Sequence, residues 1–180
     1  MNMANEREIK RQLLSIANGD KSALSPIYDA MSRSVFLFAY SIVNDRSHAE
    51  NIMQDTFITI LEKAIEYRGG NAKSWIFTVA RNAAYDLIRK NSREFTCEDI
   101  SLYVKINSIT NDIEQSVFLE EMLSQLEEID RKIVFLRVYE NISHREIAKI
   151  IGITAANSRK RYQRALSKLK VYYEKSEEKS

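Results

Sequence analysis

Apolar residues recur along this chain at steps of three and four, the period of helices that bury one face. The longest stripe runs through Leu24, Ile27, Tyr28, Met31, Val35, Phe38, Ala39 and Ile42. Pro26 lies near its start, where backbone N–H groups lack intrahelical acceptors anyway. After Asn44-Asp45 comes a second stripe: Ala49, Ile52, Met53, Thr56, Phe57, Ile60, Leu61 and Ala64. Ser47, with Glu50 three residues later, reads as its capping box. Gly69-Gly70 interrupts the pattern, and a third stripe, Trp75, Ile76, Val79, Ala80, Ala83 and Leu87, runs out among Arg89, Lys90 and Arg93. Ahead of all three, residues 5–17 predict a short amphipathic helix. Asn18-Gly19 supplies its left-handed stop, and Asp20 caps the next helix. Helices of this kind can close a small core of their own.

The helical period fails between Asn91 and Asn111, where Ile100, Leu102, Val104 and Ile106 alternate in a way that suits a short extended segment. This stretch reads as a linker. Helical spacing resumes with Ile113, Val117, Leu119, Leu123 and Leu126, then Ile133, Val134, Leu136 and Val138, and the charged tail from Glu174 to Ser180 is expected to fray. The fold class is therefore all-α. Two small helical domains are expected, 1–91 and 113–174, joined by the linker 92–112 and followed by the tail 175–180. Four glycines and one proline in 180 residues agree, since a many-stranded sheet needs more turn positions.

Composition narrows the chemistry. One cysteine, Cys97, cannot form an internal disulfide, and two distant histidines, His48 and His144, make no metal site. The start, MNMANEREIK, lacks the apolar core of a signal peptide, and no run of about eighteen apolar residues occurs. A cytoplasmic protein without membrane insertion is expected. No phosphate-binding glycine loop, nucleophile–base pair or metal-ligand cluster is visible. The expectation is no catalytic residue, no cofactor and no metal.

Charge is sharply segregated. Ser143 to Lys170 holds eight basic residues against one acid, a net +7, whereas the whole chain carries +2, so the rest is near −5. The same segment has a helix-turn-helix pattern. Ile147, Ala148 and Ile151 suit a first helix, Ala148 being small where helices approach; Gly152 can take a positive φ, and Ile153 plugs the corner. On the next helix Tyr162, Ala165, Leu169 and Tyr172 face inward. Asn157, Lys160, Arg161, Arg164 and Lys168 then share a basic, polar face, with Arg145 on the helix before. A helix in the major groove needs that arrangement, base-edge contacts near its N-terminus and cations on phosphates. Ser158 is open to two readings, inner-face packing or exposure beside Asn157.

Three segments, in order, resemble the compact two-domain sigma factors of bacterial RNA polymerase, the extracytoplasmic-function type. AENIMQDTFITILEKA (Ala49 to Ala64) is similar to the family's helix that docks on the β′ clamp of core RNA polymerase. YRGGNAKSWIFTVARNAAYDLIRK (Tyr67 to Lys90) resembles its signature for melting and reading the −10 element. The spacing of Gly152-Ile153, Arg161, Arg164-Ala165 and Leu169 resembles its −35 reader.

The resemblance implies three sets of site residues. Polymerase binding falls to Asn51, Gln54, Asp55, Ile58 and Glu62, a polar and acidic line suited to a partner helix bearing Arg and Lys. The −10 strand falls to Asn71, Arg81, Asn82, Tyr85, Arg89 and Lys90, where cations hold phosphates and amides or rings hold an extruded base. Asn82 matches the position that contacts a flipped base, and Gly69-Gly70-Asn71-Ala72 the adjoining specificity loop. Trp75 reads as core, with a base platform the alternative. The −35 element falls to Arg145, Asn157, Ser158, Lys160, Arg161, Arg164 and Lys168. Two positions depart from the family pattern: Ser158 replaces a frequent valine, and Glu128-Ile129-Asp130 stands where a proline is common. Implied partners are core RNA polymerase, promoter DNA and an anti-sigma factor. A free-standing helix-turn-helix regulator, with residues 1–90 for dimerisation or ligand binding, is the competing reading, and a helical adaptor the third.

Overall fold

A helix forms wherever the apolar period is sustained, and the places where it stops are set by left-handed residues and side-chain caps. The computed structural model describes residues 6–90 and 125–177, the side chains of the last three excepted. The chain divides into two compact units, Met1–Thr96 and Cys97–Ser180. Among the described residues there are helices and no strand, as the all-α reading expects.

In the first unit, α1 (Glu6–Ala17) buries Ile9, Leu13 and Ile16. Gly19, at φ 99°, reverses the chain. Asp20 then accepts from the backbone N–H of Ser22 at 3.0 Å, opening a 3-10 turn over Lys21–Ala23. This leads directly into α2 (Leu24–Val43), with Pro26 in the first turn. Asn44, left-handed at φ 52°, ends that helix. Next is α3 (Arg46–Lys63), and its start corrects the sequence reading. Asp45 is the cap, accepting from the backbone N–H of His48 at 2.7 Å. Ser47 already lies inside the helix, and Glu50 receives Arg46 at 2.9 Å instead of closing a capping box. An aspartate two residues upstream reaches the unpaired N–H groups first.

The fourth helix, α4 (Ala72–Lys90), packs against both α2 and α3. Its buried arc is therefore wider than the expected stripe and rotated from it. Ile76, Phe77, Ala80 and Ala84 are buried, while Trp75, Val79, Ala83 and Leu87 are half-buried. Phe77, absent from that stripe, is fully enclosed and meets the Phe38 ring edge-on at 5.1 Å.

The second unit begins, in the described residues, at Gln125. Its first helix, α5 (Glu128–Val134), widens into a π turn over Phe135–Tyr139. That turn shifts the register, so Val138, expected to face inward, is 56% exposed while Leu136 is enclosed. After it come α6 (His144–Ile151) and α7 (Ala155–Glu177). Ser143 caps α6, and its hydroxyl donates to Glu146 Oε2 at 2.9 Å. Gly152, at φ 83°, makes the tight turn to α7. Leu126, Val134 and Ala165 form a core cluster, closed by Tyr162 and Leu169. α7 persists to Glu177, beyond Glu174 where fraying was expected. The linker 92–112, its alternating run, Cys97 and the apolar spacing from Ile113 to Leu123 lie outside the described residues.

Candidate nucleic-acid interface

Because α3 buries Ala49, Ile52, Thr56, Phe57 and Ile60, the opposite side of the helix is left to solvent. Asn51, Gln54, Asp55, Ile58 and Glu62 are all exposed there, Ile58 by 53%. The structure thus gathers one apolar side chain into a polar and acidic line.

On α4 the exposed side carries Asn82, Tyr85, Arg89 and Lys90, with Arg81 half-buried beside them. Arg81 donates to Asn82 Oδ1 at 2.8 Å, which leaves the amide N–H groups of Asn82 pointing away from that bond. Tyr85 is 49% exposed. The loop before α4 is closed by its own bonds. Tyr67, nearly buried, donates its hydroxyl to Gly70 O at 2.8 Å. Gly69 and Gly70 stand at φ 90° and 95°, a left-handed pair that side-chain-bearing residues adopt only with strain. Asn71 is half-buried, and its Oδ1 accepts from the backbone N–H of Ser74 at 2.7 Å. It is therefore a cap on α4 with its amide N–H group left over. Trp75 is half-buried, its ring 5.7 Å from that of Tyr67.

In the second unit α7 presents Asn157, Lys160, Arg164 and Lys168 to solvent, and α6 presents Arg145. Two expected readers differ. Ser158 is fully buried, and its hydroxyl pairs with His144 Nδ1 at 3.0 Å. It belongs to the packing between α6 and α7, not to the surface beside Asn157. The position tolerates a hydroxyl because an imidazole from α6 satisfies it, and the same imidazole meets the Tyr162 ring at 5.2 Å. Burial, with Arg137 and Arg159 nearby, holds the His144 pKa below its ordinary value.

Arg161 is the second. Its guanidinium donates to Asp130 Oδ1 at 2.6 Å and to Glu127 Oε2 at 3.1 Å, and its side chain is only 23% exposed. Arg164 reaches the other oxygen of Asp130 at 3.2 Å while staying half exposed. Asp130 itself is fully buried. Its hydrogen bond holds the Arg161 pKa above the ordinary arginine value. The two arginines thus clamp α7 onto α5. In the sequence Asp130 stands out only as a departure from a proline pattern; its partners lie 31 and 34 residues away, and no local spacing announces them.

Among the described residues, no group of three or more His, Cys, Asp or Glu side chains could hold a metal ion, and no helix is long and apolar enough to cross a membrane.

Residues 27–94 match the family Sigma-70 region 2, and residues 119–169 match Sigma-70, region 4. The ECF RNA polymerase sigma factor SigM of Bacillus subtilis is 29% identical over 154 residues, covering 83% of this chain and 94% of that protein. The chain belongs to the extracytoplasmic-function sigma factors. It is an alternative sigma factor that directs RNA polymerase to promoters and starts transcription, and the free-standing regulator is not favoured.

Two solved structures share the fold of this sigma factor. CnrH, in complex with the cytosolic domain of CnrY, superposes with a TM-score of 0.63 at 17% identity, covering 93% of this chain and 97% of that one. RpoE of Bartonella quintana, in complex with the anti-sigma factor NepR, gives 0.62 at 22% identity, covering 83% and 96%. The α3 and α4 surfaces of this sigma factor fall within its region 2, and α6 and α7, to Leu169, within its region 4.

Proposed function

We propose that this sigma factor docks on the β′ clamp of core RNA polymerase through the outer line of α3, holds the opened −10 strand on α4, and reads the −35 duplex with α7. The carrying observation is the exposure of all five α3 residues, Asn51, Gln54, Asp55, Ile58 and Glu62, on the side away from the core. An exposed isoleucine set among acids and amides suits a partner helix with an apolar anchor and flanking Arg and Lys. On α4, Arg81, Arg89 and Lys90 supply cations for phosphate, Tyr85 a ring for stacking, and Asn82 and Asn71 amides for an extruded base. On the helix-turn-helix, Asn157 lies at the N-terminal end of α7, where base edges come within reach, and Arg145, Lys160, Arg164 and Lys168 lie where phosphates run.

Strand opening in this scheme draws on binding energy for flipped bases and displaced strand, so the chain performs no catalysis of its own and needs no cofactor. It works in the cytoplasm with the polymerase. An anti-sigma factor that covers these surfaces is the expected regulator, a reading supported by the NepR-bound neighbour.

The test is co-elution of the full chain with core RNA polymerase lacking sigma, beside an Asp55→Arg variant. Stoichiometric association that the charge reversal abolishes is the expected result. Binding of the chain to duplex DNA with no affinity for the polymerase would overturn the proposal.

A further inference from the structure

The first helix lies outside the region 2 match, which begins at residue 27, yet it touches both ends of the loop before α4. It packs on the 3-10 turn Ala64–Glu66, through which the chain enters the loop. At the other end, the Glu6 carboxylate accepts from the backbone N–H groups of Ala72 and Lys73, the second bond at 3.2 Å. Those are the first two residues of α4, whose N–H groups have no partner within their own helix. A carboxylate there also meets the positive end of the helix dipole. The bond spans 66 residues of sequence, and Ala72 is fully buried.

We propose that Glu6 is a positioning residue for −10 recognition, acting through α4 to hold the Gly69-Gly70-Asn71 loop in its reading shape. This rests on the assignment of that loop to the −10 element. The loop's own bonds, Tyr67 to Gly70 and Ser74 to Asn71, close it internally. The Glu6 bonds add an anchor from α1. They fix where α4 begins, and with it the direction in which Asn71 presents its free amide. Two consecutive left-handed glycines otherwise leave the loop many shapes, and a reader that must order itself on binding discriminates less between bases.

The experiment is in vitro transcription by core RNA polymerase and the full chain on a duplex library randomised over both the −35 and −10 windows. Sequencing of the transcribed templates gives the enrichment at each window. For Glu6→Ala, enrichment at −10 should fall on the order of tenfold, the weight of one charge-assisted hydrogen bond, while −35 enrichment holds. Val35→Ala, a cavity in the core of α2, is the control for simple destabilisation and should leave the ratio of the two enrichments at its wild-type value. Unchanged −10 enrichment in Glu6→Ala would overturn the proposal. So would an equal fall at both windows, or the same loss in Val35→Ala. If the wild-type chain enriches neither window, the loop assignment falls first and takes this inference with it.

Discussion

The clamp between α5 and α7 makes an asymmetric prediction about its two halves. Arg161→Ala leaves Asp130 as a fully buried carboxylate held by Arg164 alone, at 3.2 Å. Stripping a buried charge of its partner costs about 3–5 kcal/mol, and the surviving arginine puts this case near the lower end, about 3 kcal/mol. Asp130→Asn removes the charge and keeps the shape and one acceptor oxygen. The guanidiniums it orphans are 23% and 49% exposed and can turn to water, so the loss should be smaller, about 1–2 kcal/mol. In the double variant no buried charge is left uncompensated, so its cost should fall short of the sum by about 1 kcal/mol or more.

Hydrogen exchange of the α7 amides in the full chain reads these losses locally, without assuming that the two units unfold together. At about 1.4 kcal/mol per decade, protection should drop about 100-fold in Arg161→Ala and about tenfold in Asp130→Asn. Fluorescence of Trp75, in the other unit, should not change. Should Asp130→Asn cost as much as Arg161→Ala, or the double variant equal the sum, the asymmetry argued from burial is wrong.

The same geometry carries four shorter expectations. Lys160→Ala should reduce the slope of log affinity against log salt for promoter DNA by about 1, whereas Arg161→Ala, measured where it is still folded, should leave that slope alone; equal slope changes would put Arg161 on phosphate. Asp45→Ala should cost about 1 kcal/mol and Ser47→Ala only a few tenths in urea unfolding followed by Trp75, because only Asp45 caps α3. Gly152→Ala should cost about 1 kcal/mol although no atom lies within 4 Å of the added Cβ, since the penalty is the backbone at φ 83°; a neutral result in a melt of the second unit would refute it. His144 adds a pH dependence. Its folded pKa lies below the ordinary 6.5, so the folded state binds fewer protons there than the unfolded chain. Its contribution is complete above 6.5 and is lost as pH falls through that value and then through the folded pKa. Protection of the α7 amides, taken against the unstructured chain at the same pH, should fall on acidification across that window, and His144→Gln should flatten the fall.

How much of this is legible in the sequence depends on the range of the interaction. Helices α1 to α4 and the helix-turn-helix follow from local periodicity, and so do Gly19 and Gly152 as left-handed stops. Even at short range, identical signals compete. Ser47–Glu50 and Ser143–Glu146 have the same spacing, but only Ser143 caps: Asp45 takes the cap ahead of Ser47, whereas Asn141, two residues ahead of Ser143, stands at φ 56° with its side-chain oxygen accepting from Arg137. Phe77 escapes the pattern because a stripe drawn for one neighbour underestimates a helix wedged between two. Glu6, Asp130 and His144 are out of reach for a different reason. Each acts on a partner distant along the chain, 66 residues away for Glu6, and nothing in its own neighbourhood marks it.

The basic segment shows what that blindness does to a functional inference. Counted along the sequence, Ser143 to Lys170 carries +7, and the count treats every cation as available to DNA. In the fold, Glu127 and Asp130, which precede the segment and escape the count, answer Arg161 and share Arg164, and Glu174 lies 3.7 Å from Lys170. The charge that faces solvent is therefore smaller and displaced. It is weighted toward Arg145 on α6 and Arg159, Lys160 and Lys168 on α7, all exposed. A clamp that neutralises cations also fixes them. Arg164, held by one hydrogen bond to Asp130 and half exposed, is presented in one direction instead of sampling many, so less entropy is lost when a phosphate arrives. The acids of α5 then do two things for promoter binding, lowering the total positive charge and ordering what remains of it. That combination weakens indiscriminate attraction to any duplex more than it weakens the fitted one.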